Sequence, residues 1–493
     1  LITARFQAVT EGDWGKVLTL LANDKELNKK RAEARRRRRQ KRGSEEQEDP
    51  ERKREVVMSL VARGQVGRAA GRIKSNGVAS IDSATVKNSL RAKFPEYPER
   101  PLPNTATKGQ LVDNLDGLRD SFLNLELGSA PGAGGMRPEY LITLGKEMRR
   151  EDMERLQEHG INTLNGAYPA WFHRAVGAVT TVPLFKTTQQ RDTELRPLGL
   201  ASSMVRVLER IQSRQNRPAL QAYLEPQQQA MSKAGAHRLV HMVRMHMEMN
   251  PTHVCVKLDV TNAYPTMSRA AVLEVLESEP ELRHMSWGFA TSMAAPTGLE
   301  SAGLKWGDTG DGLLQGKPSS SGYYCVGWQP EVRQVDAEVS TGGGAARVFA
   351  DDGYIMGPPD IVFPAVQRFE DSIRQRCSLQ LNRSKTEVFS WRELPACTPP
   401  GLKRAGMYGD NGEFHSGFEC VGVAIGTKPY VKQWLSEKEQ EITEVIEKTC
   451  SLLEEDLQAK WTILTNSIGQ KLNYTLSLQY PSDVLPTATR LDN

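Results

Sequence analysis

With 493 residues, 39% of them hydrophobic and 25% charged, the chain holds material for two to four packed domains and lacks the composition of a disordered or fibrous protein. No apolar run approaches the eighteen or so residues of a membrane span and no signal-peptide pattern opens the chain, which predicts an intracellular protein with no membrane partner. The net charge of +4 announces no polyanion by itself, because Lys29 to Arg42, "KKRAEARRRRRQKR", sets ten basic residues against one acid and the remainder is mildly acidic.

That basic run reads as a solvated arm, a nuclear address or a phosphate contact. The chain begins at Leu1 and is read as a piece of a longer one. Val56 to Leu90 is expected to be helical with interruptions, and the Pro-rich "KFPEYPERPLPNTATKG" (Lys93 to Gly109) to be a boundary. A Gly-rich turn follows at Gly128 to Leu141, then helical pattern to about residue 165. "TTVPLF" (Thr180 to Phe185) and "LRPLGL" (Leu195 to Leu200) read as two strands around a polar turn. Ser202 or Ser203 then caps a helix whose apolar face includes Val205, Leu208 and Ile211.

In "HVCVKLDV" (His253 to Val260), Val254, Val256, Leu258 and Val260 alternate with His253, Cys255, Lys257 and Asp259, as in a strand with one buried face. Asp259 falls on the other face, at the strand's end. Ser268 is placed to cap the next helix, and Gly307 to Tyr324 reads as a Gly-rich turn leading into another. "RVFADDGYIMG" (Arg347 to Gly357) is a hairpin whose turn carries Asp351 and Asp352, with Gly353 expected to supply a positive φ. A helix around Ile361 to Cys377, the hairpin-like "GFECVGVAIGT" and a helical tail from Gln433 to about Leu478 complete the pattern. In the tail, Ile442, Val445, Ile446, Leu453, Leu457, Trp461 and Leu464 form a stripe expected to be core.

The six cysteines show no C-x-x-C pair, which argues against a zinc module or a disulfide framework and for reduced, mostly buried thiols. His237 and His241 stand at i, i+4, but no Glu lies between them as in a H-E-x-x-H site, and Met242, Met245 and Met249 suggest packing instead.

If the strand ending at Asp259 neighbours the hairpin, three carboxylates gather at one sheet edge. Adjacent residues on a straight strand face opposite ways, so Asp352 can join Asp351 only if the turn redirects it. Clustered carboxylates repel unless a cation offsets them, and hard oxygen ligands without His or Cys point to Mg²⁺. Two such ions about 4 Å apart serve in-line phosphoryl transfer.

"KLDVTNAYPTMSR", "LLQGKPSSSG", "RVFADDGYIMG", "LNRSKTEVF" and "VGVAIGT" follow the order of the conserved blocks of reverse transcriptases. The FADD form, "APGAGGMRPEYL" and "RPLGLASSMVRVLERI" resemble the non-LTR (LINE-type) retrotransposon branch. The resemblance spans about residues 110 to 480, and "ARFQAVTEGDWGKVLTLLA" and "VARGQVGRAAGRIKSNG" are similar to segments that precede this domain in related elements. It implies an α+β right-hand polymerase: an N-terminal helical and basic extension with linker over 1–109, fingers over 110–250, a palm with an antiparallel sheet over 251–425 and a helical thumb over 426–493.

The implied activity is RNA-directed DNA polymerisation with two Mg²⁺ ions, replaceable by Mn²⁺. RNA template, DNA primer or target DNA, and dNTPs would be the partners, and the nucleus the location in a eukaryotic host. Asp259, Asp351 and the carbonyl of Val260 would be the metal ligands, with Asp352 the third carboxylate. Tyr264 would bar the ribose 2′-OH, and Gln315 and Gly316 would contact nucleotide and template. Lys186 and Arg196 would bind the triphosphate, and Lys385 would protonate the leaving pyrophosphate. "VGVAIGT" resembles the primer-grip hairpin. Lys317 and three serines depart from the family's acidic or small residue and Ser-Pro pattern. No endonuclease signature is present. Two alternatives stay open: a catalytically decayed, nucleic-acid-binding relic, and an RNA-dependent RNA polymerase, against which Ala350 and Tyr264 argue.

Overall fold

The computed structural model describes residues 50–94 (76 apart), 112–293, 297–301, 304–409 and 412–492, with a few isolated positions between 11 and 30. The basic run, Lys30 apart, and the Pro-rich stretch beyond Phe94 lie outside the described residues.

The fold is mixed α+β, with three sheets among the described residues. The first strands are β1 (Val179–Phe185), β2 (Leu195–Ala201), β3 (Val254–Leu258), β4 (Thr297–Ser301) and β5 (Leu304–Thr309). They are followed by β6 (Ala345–Phe349), β7 (Asp352–Gly357), β8 (Glu387–Ser390), β9 (Lys403–Arg404), β10 (Gly406–Tyr408), β11 (Phe414–Cys420) and β12 (Val423–Gly426). The largest sheet runs β6-β7-β3-β8-β9, the second β2-β1-β4-β5 and the third β10-β11-β12. β5 occupies part of what the sequence suggested was one long Gly-rich turn; only 310–319 are turn and loop before the helix Ser320–Ser340.

β3 is the centre of the large sheet, antiparallel to β7 on one side and β8 on the other. Val254, Val256 and Leu258 pack on the helices Arg269–Ser278, Ser320–Ser340 and Pro359–Cys377. The opposite face is not open, as the alternation had suggested. Cys255 is fully buried there, under Leu239, Val240, Val243 and Met247 of the helix Gly235–Met249 and under Phe418 and Ile425 of the β11–β12 hairpin. A small thiol interleaved among valines suits a doubly covered strand.

β1 and β2 pair antiparallel in register from Val179↔Ala201 to Phe185↔Leu195. The next helix, Ser203–Leu224, is capped by Ser202, whose hydroxyl accepts from the Val205 N–H, and it buries Val205, Leu208 and Ile211. Ser268 caps its helix in the same way, accepting from the Ala271 N–H.

The C-terminal helical region is interrupted: Lys428–Leu452, Leu457–Ile463, a wider turn at Leu464–Ile468, and Asn473–Leu478. Its stripe is only partly core. Val445 and Leu453 are buried and Ile442, Ile446 and Leu464 pack beside them, but Leu457 and Trp461 are 73% and 70% exposed. The partners of the buried part are Val57, Ala69, Ala70 and Ile73 on the helices Pro50–Ala62 and Val66–Lys74, joined by the Arg54–Asp456 ion pair at 2.7 Å. Just beyond, Val78 bridges Leu184 of β1, and Val86 and Leu90 pack with Leu195 of β2. No disulfide forms among the six cysteines; four are buried. Among the described residues no helix is long and apolar enough to cross a membrane.

Candidate active site

The β6–β7 hairpin closes on the pair Phe349↔Asp352, so Ala350 and Asp351 are its two turn residues. Ala350 carries the left-handed conformation, φ 52°, not Gly353. Gly353 lies in β7 between Val348 and Leu258, where an added Cβ would come within 2.8 Å of Leu258 Cδ1. Its role is close strand approach. It is also Asp351, in the turn, that is redirected, whereas Asp352 starts the strand. Both points revise the sequence reading.

A residue the sequence reading missed holds this turn. The fully buried Gln228 accepts from the Ala350 N–H through Oε1 at 2.8 Å, and its Nε2 donates to the Ala350 carbonyl at 3.3 Å. Val348 N–H donates to Gln227 O and Gln229 N–H to Val348 O, so the segment after helix Ser203–Leu224 runs beside β6. The only signal was "PQQQA", an unusual amide run beside apolar helices.

The β3–β7 register ends at Leu258↔Gly353; carried two residues further, it faces Asp259 to Asp352 and Val260 to Asp351. On the other flank, Asn382 N–H donates to Asp259 O and Thr261 N–H to Gln380 O, around the bridge Val260↔Leu381. In such a pair the middle residue's own N–H and C=O point away from the partner strand, so the Val260 carbonyl faces the side of the Asp351 turn. Thr386 Oγ1 accepts from the Asp259 N–H at 3.3 Å, which fixes the loop carrying Lys385 next to Asp259.

The electrostatics show which charges meet. Burial pushes the Asp259 carboxyl up, against Lys385, Lys257 and Lys186, which pull it down. Burial also pushes Asp351 up, opposed by its own backbone N–H and by Arg196 and reinforced by Asp259. Loss of hydration and then the neighbouring Asp351 charge push Asp352 up to about 6. Lys186 is pulled down by loss of hydration and then by Lys385 and Arg196, while Asp259 and Glu194 work against that. Asp259, Asp351, Asp352, Lys186, Arg196 and Lys385, from four separate segments, therefore occupy one electrostatic neighbourhood.

Arg196 lies opposite Leu184 on the β1–β2 hairpin, and Lys186 follows β1, its N–H bonded to Glu194 O. Tyr264 sits in the short helix Ala263–Thr266, stacked on the buried Tyr324 at 4.8 Å, with its hydroxyl 3.1 Å from Ser321 Oγ. Burial pushes its hydroxyl up to about 12. Its carbonyl accepts from the Leu313 N–H, at the start of the segment that holds Gln315 and Gly316. Gln315 O accepts from the Gly199 N–H of β2 at 2.7 Å. Gly316, φ 105°, leaves no room for a Cβ, which would sit 2.7 Å from Leu198 Cδ1 and 2.9 Å from Gly199 O. Lys317 is not a free basic residue at the surface: it is buried and ion-paired to Glu209 at 2.9 Å.

Among the described residues no three His, Cys, Asp or Glu side chains form a ready-made metal cage. The donor set fits a hard divalent cation nonetheless. Mg²⁺ takes one or two carboxylates and completes its shell with water and substrate phosphate, and two crowded, desolvated carboxylates beside an outward carbonyl are what such an ion relieves. The histidines do not compete: His237 lies on the Tyr474 ring with Ser477, and His246 Nε2 meets His253 Nδ1 at 3.1 Å. A scan against protein-family models finds no match, and no curated protein matches the chain.

Proposed function

We propose that the chain is an RNA-directed DNA polymerase, the reverse transcriptase of a non-LTR retrotransposon-type protein, built as a right hand. On this reading residues 110–250 are fingers, 251–425 palm and 426–493 thumb, behind the extension 1–109. The observation that carries it is the meeting of Asp259 and Asp351 with Arg196, Lys186 and Lys385: two neighbouring acids ringed by three cations suit a divalent ion and a triphosphate together.

Asp259, Asp351 and the Val260 carbonyl would hold Mg²⁺, which when bound supplies activation of the primer hydroxyl and charge stabilisation at the pyrophosphate. Arg196 grips phosphate oxygens with its fork of donors, and Lys186 adds a point charge. The primer 3′-oxygen attacks the α-phosphorus in line as the bond to pyrophosphate breaks. Lys385 donates its Nζ proton to the departing oxygen. Tyr264, braced by Tyr324 and Ser321, presents a ring that fills the space of a 2′-hydroxyl.

Primer extension on an RNA template with Mg²⁺ and either dNTPs or rNTPs tests the reading. DNA synthesis that disappears in Asp351→Ala supports it; synthesis that survives this substitution refutes the acid assignment. A folded wild-type protein that binds primer–template without extending it would be the decayed relic, and preference for rNTPs would indicate an RNA polymerase.

A further inference from the structure

On the polymerase reading, we infer that the buried Lys317–Glu209 ion pair is a positioning device that sets the Gln315–Gly316 loop against β2, and thus against Arg196. Both residues are nearly inaccessible, at 6% and 7% exposure. Glu209 stands on the helix Ser203–Leu224; Lys317 Nζ lies 2.9 Å from its Oε1, and Ser319 Oγ donates to its Oε2 at 3.2 Å. Both ends of the short loop Gln315–Ser319 are therefore fastened: the front to β2 through the Gly199–Gln315 bond, the back to the helix through a desolvated charge.

The strand face matters. In β2, Arg196, Leu198 and Leu200 are the less buried alternate set, so they share one face. Gly316 packs on Leu198, the residue two along from Arg196. A loop shifted on Leu198 moves the Gln315 carboxamide relative to the Arg196 guanidinium, the group assigned to the triphosphate. An apolar pair of equal volume would fill the same space, but it would not define a direction. A buried ion pair does, because each charge accepts no other position without losing its compensation. A cavity of about 50 Å³, lined in part by Glu209, Gln212, Lys317 and Tyr323, adjoins the pair, so the loop has room to shift once the charge constraint is gone. The residue type that departs from the family pattern is accordingly accounted for by a partner on a distant helix.

The test uses the full chain in four forms: wild type, Lys317→Met, the double variant Lys317→Met/Glu209→Met, and the reversed pair Lys317→Glu/Glu209→Lys. Two readouts are taken: amide hydrogen exchange at Gly199 without substrate, and KM for dNTP against kcat in primer extension. Lys317→Met is expected to lower the melting temperature and to raise KM by about tenfold to a hundredfold, with a smaller change in kcat. The double variant should regain thermal stability, yet keep fast exchange at Gly199 and a raised KM; the reversed pair should restore both. A double variant as stable as wild type, with wild-type exchange and wild-type KM, overturns the inference and leaves the pair a packing element. Wild-type protein that never extends a primer defeats the polymerase reading instead, while the exchange comparison still decides whether the pair holds the loop.

Discussion

Ala350 bears the sharpest conformational demand in the candidate site. A left-handed backbone costs a non-glycine residue about 1–2 kcal/mol, and here the two amide bonds of Gln228 offset it. Replacing Gln228 with Leu removes both of its bonds to the Ala350 backbone; we expect a loss of about 2–4 kcal/mol in urea unfolding, with activity falling further as the Asp351 turn loosens. Ala350→Gly should change stability little or raise it by up to about 1 kcal/mol. On the polymerase reading the expectation at Tyr264 is a split: Tyr264→Phe keeps the ring and its stack on Tyr324, so discrimination against rNTPs would persist, whereas Tyr264→Ala should relax it by about tenfold or more, measured as the ratio of kcat/KM values. At this scale the sequence was informative about identity and uninformative about cause. The turn, its two acids and the aromatic five residues after Asp259 were legible, because local turn chemistry is written locally. Gln228 was not, since its partner lies more than a hundred residues away and an amide carries no periodic signature.

Among the elements, β3 shows how burial can be misjudged from alternation. One face was predicted to be open because Cys255 and Lys257 interrupt the valines, but the helix Gly235–Met249 and the β11–β12 hairpin cover that face. The same helix carries a pH-sensitive contact. Burial, with the nearby His253 and Arg347, pushes His246 down to about 4. An unfolded histidine titrates near 6.5, so the folded state disfavours the proton. The resulting stability is present above about pH 6.5 and is lost as the pH falls towards 4, on the order of 1–2 kcal/mol for a half-exposed group. Unfolding midpoints between pH 7.5 and 5 should therefore drop in wild type and stay flatter in His246→Phe; equal slopes would show that His246 is not the group responsible. In the C-terminal helices the stripe failed at Leu457 and Trp461, which are exposed, because the helix restarts after residue 456 and the phase of the pattern is lost.

For the whole molecule, one core joins segments far apart in the chain. Val57, Ala69, Ala70 and Ile73 complete a core with Val445, Leu453 and Ile463, about four hundred residues on. Nothing in either local pattern names the other, so the sequence marked both segments as helical but could not pair them. A chain beginning at Val78 should expose Ile442, Val445 and Ile446, with a lowered melting temperature and new binding of a hydrophobic dye; unchanged melting would show that the N-terminal helices contribute no stability.

The same N-terminal helices also limit motion. From Lys74, where the second of them ends against the C-terminal helices, only four steps of chain lead to Val78, bonded to β1. Fully drawn out, that cord reaches about 14 Å. While both knots hold, the β1–β2 hairpin and the C-terminal helices can part no farther than this leash permits, so any wider gape requires one knot to slip first.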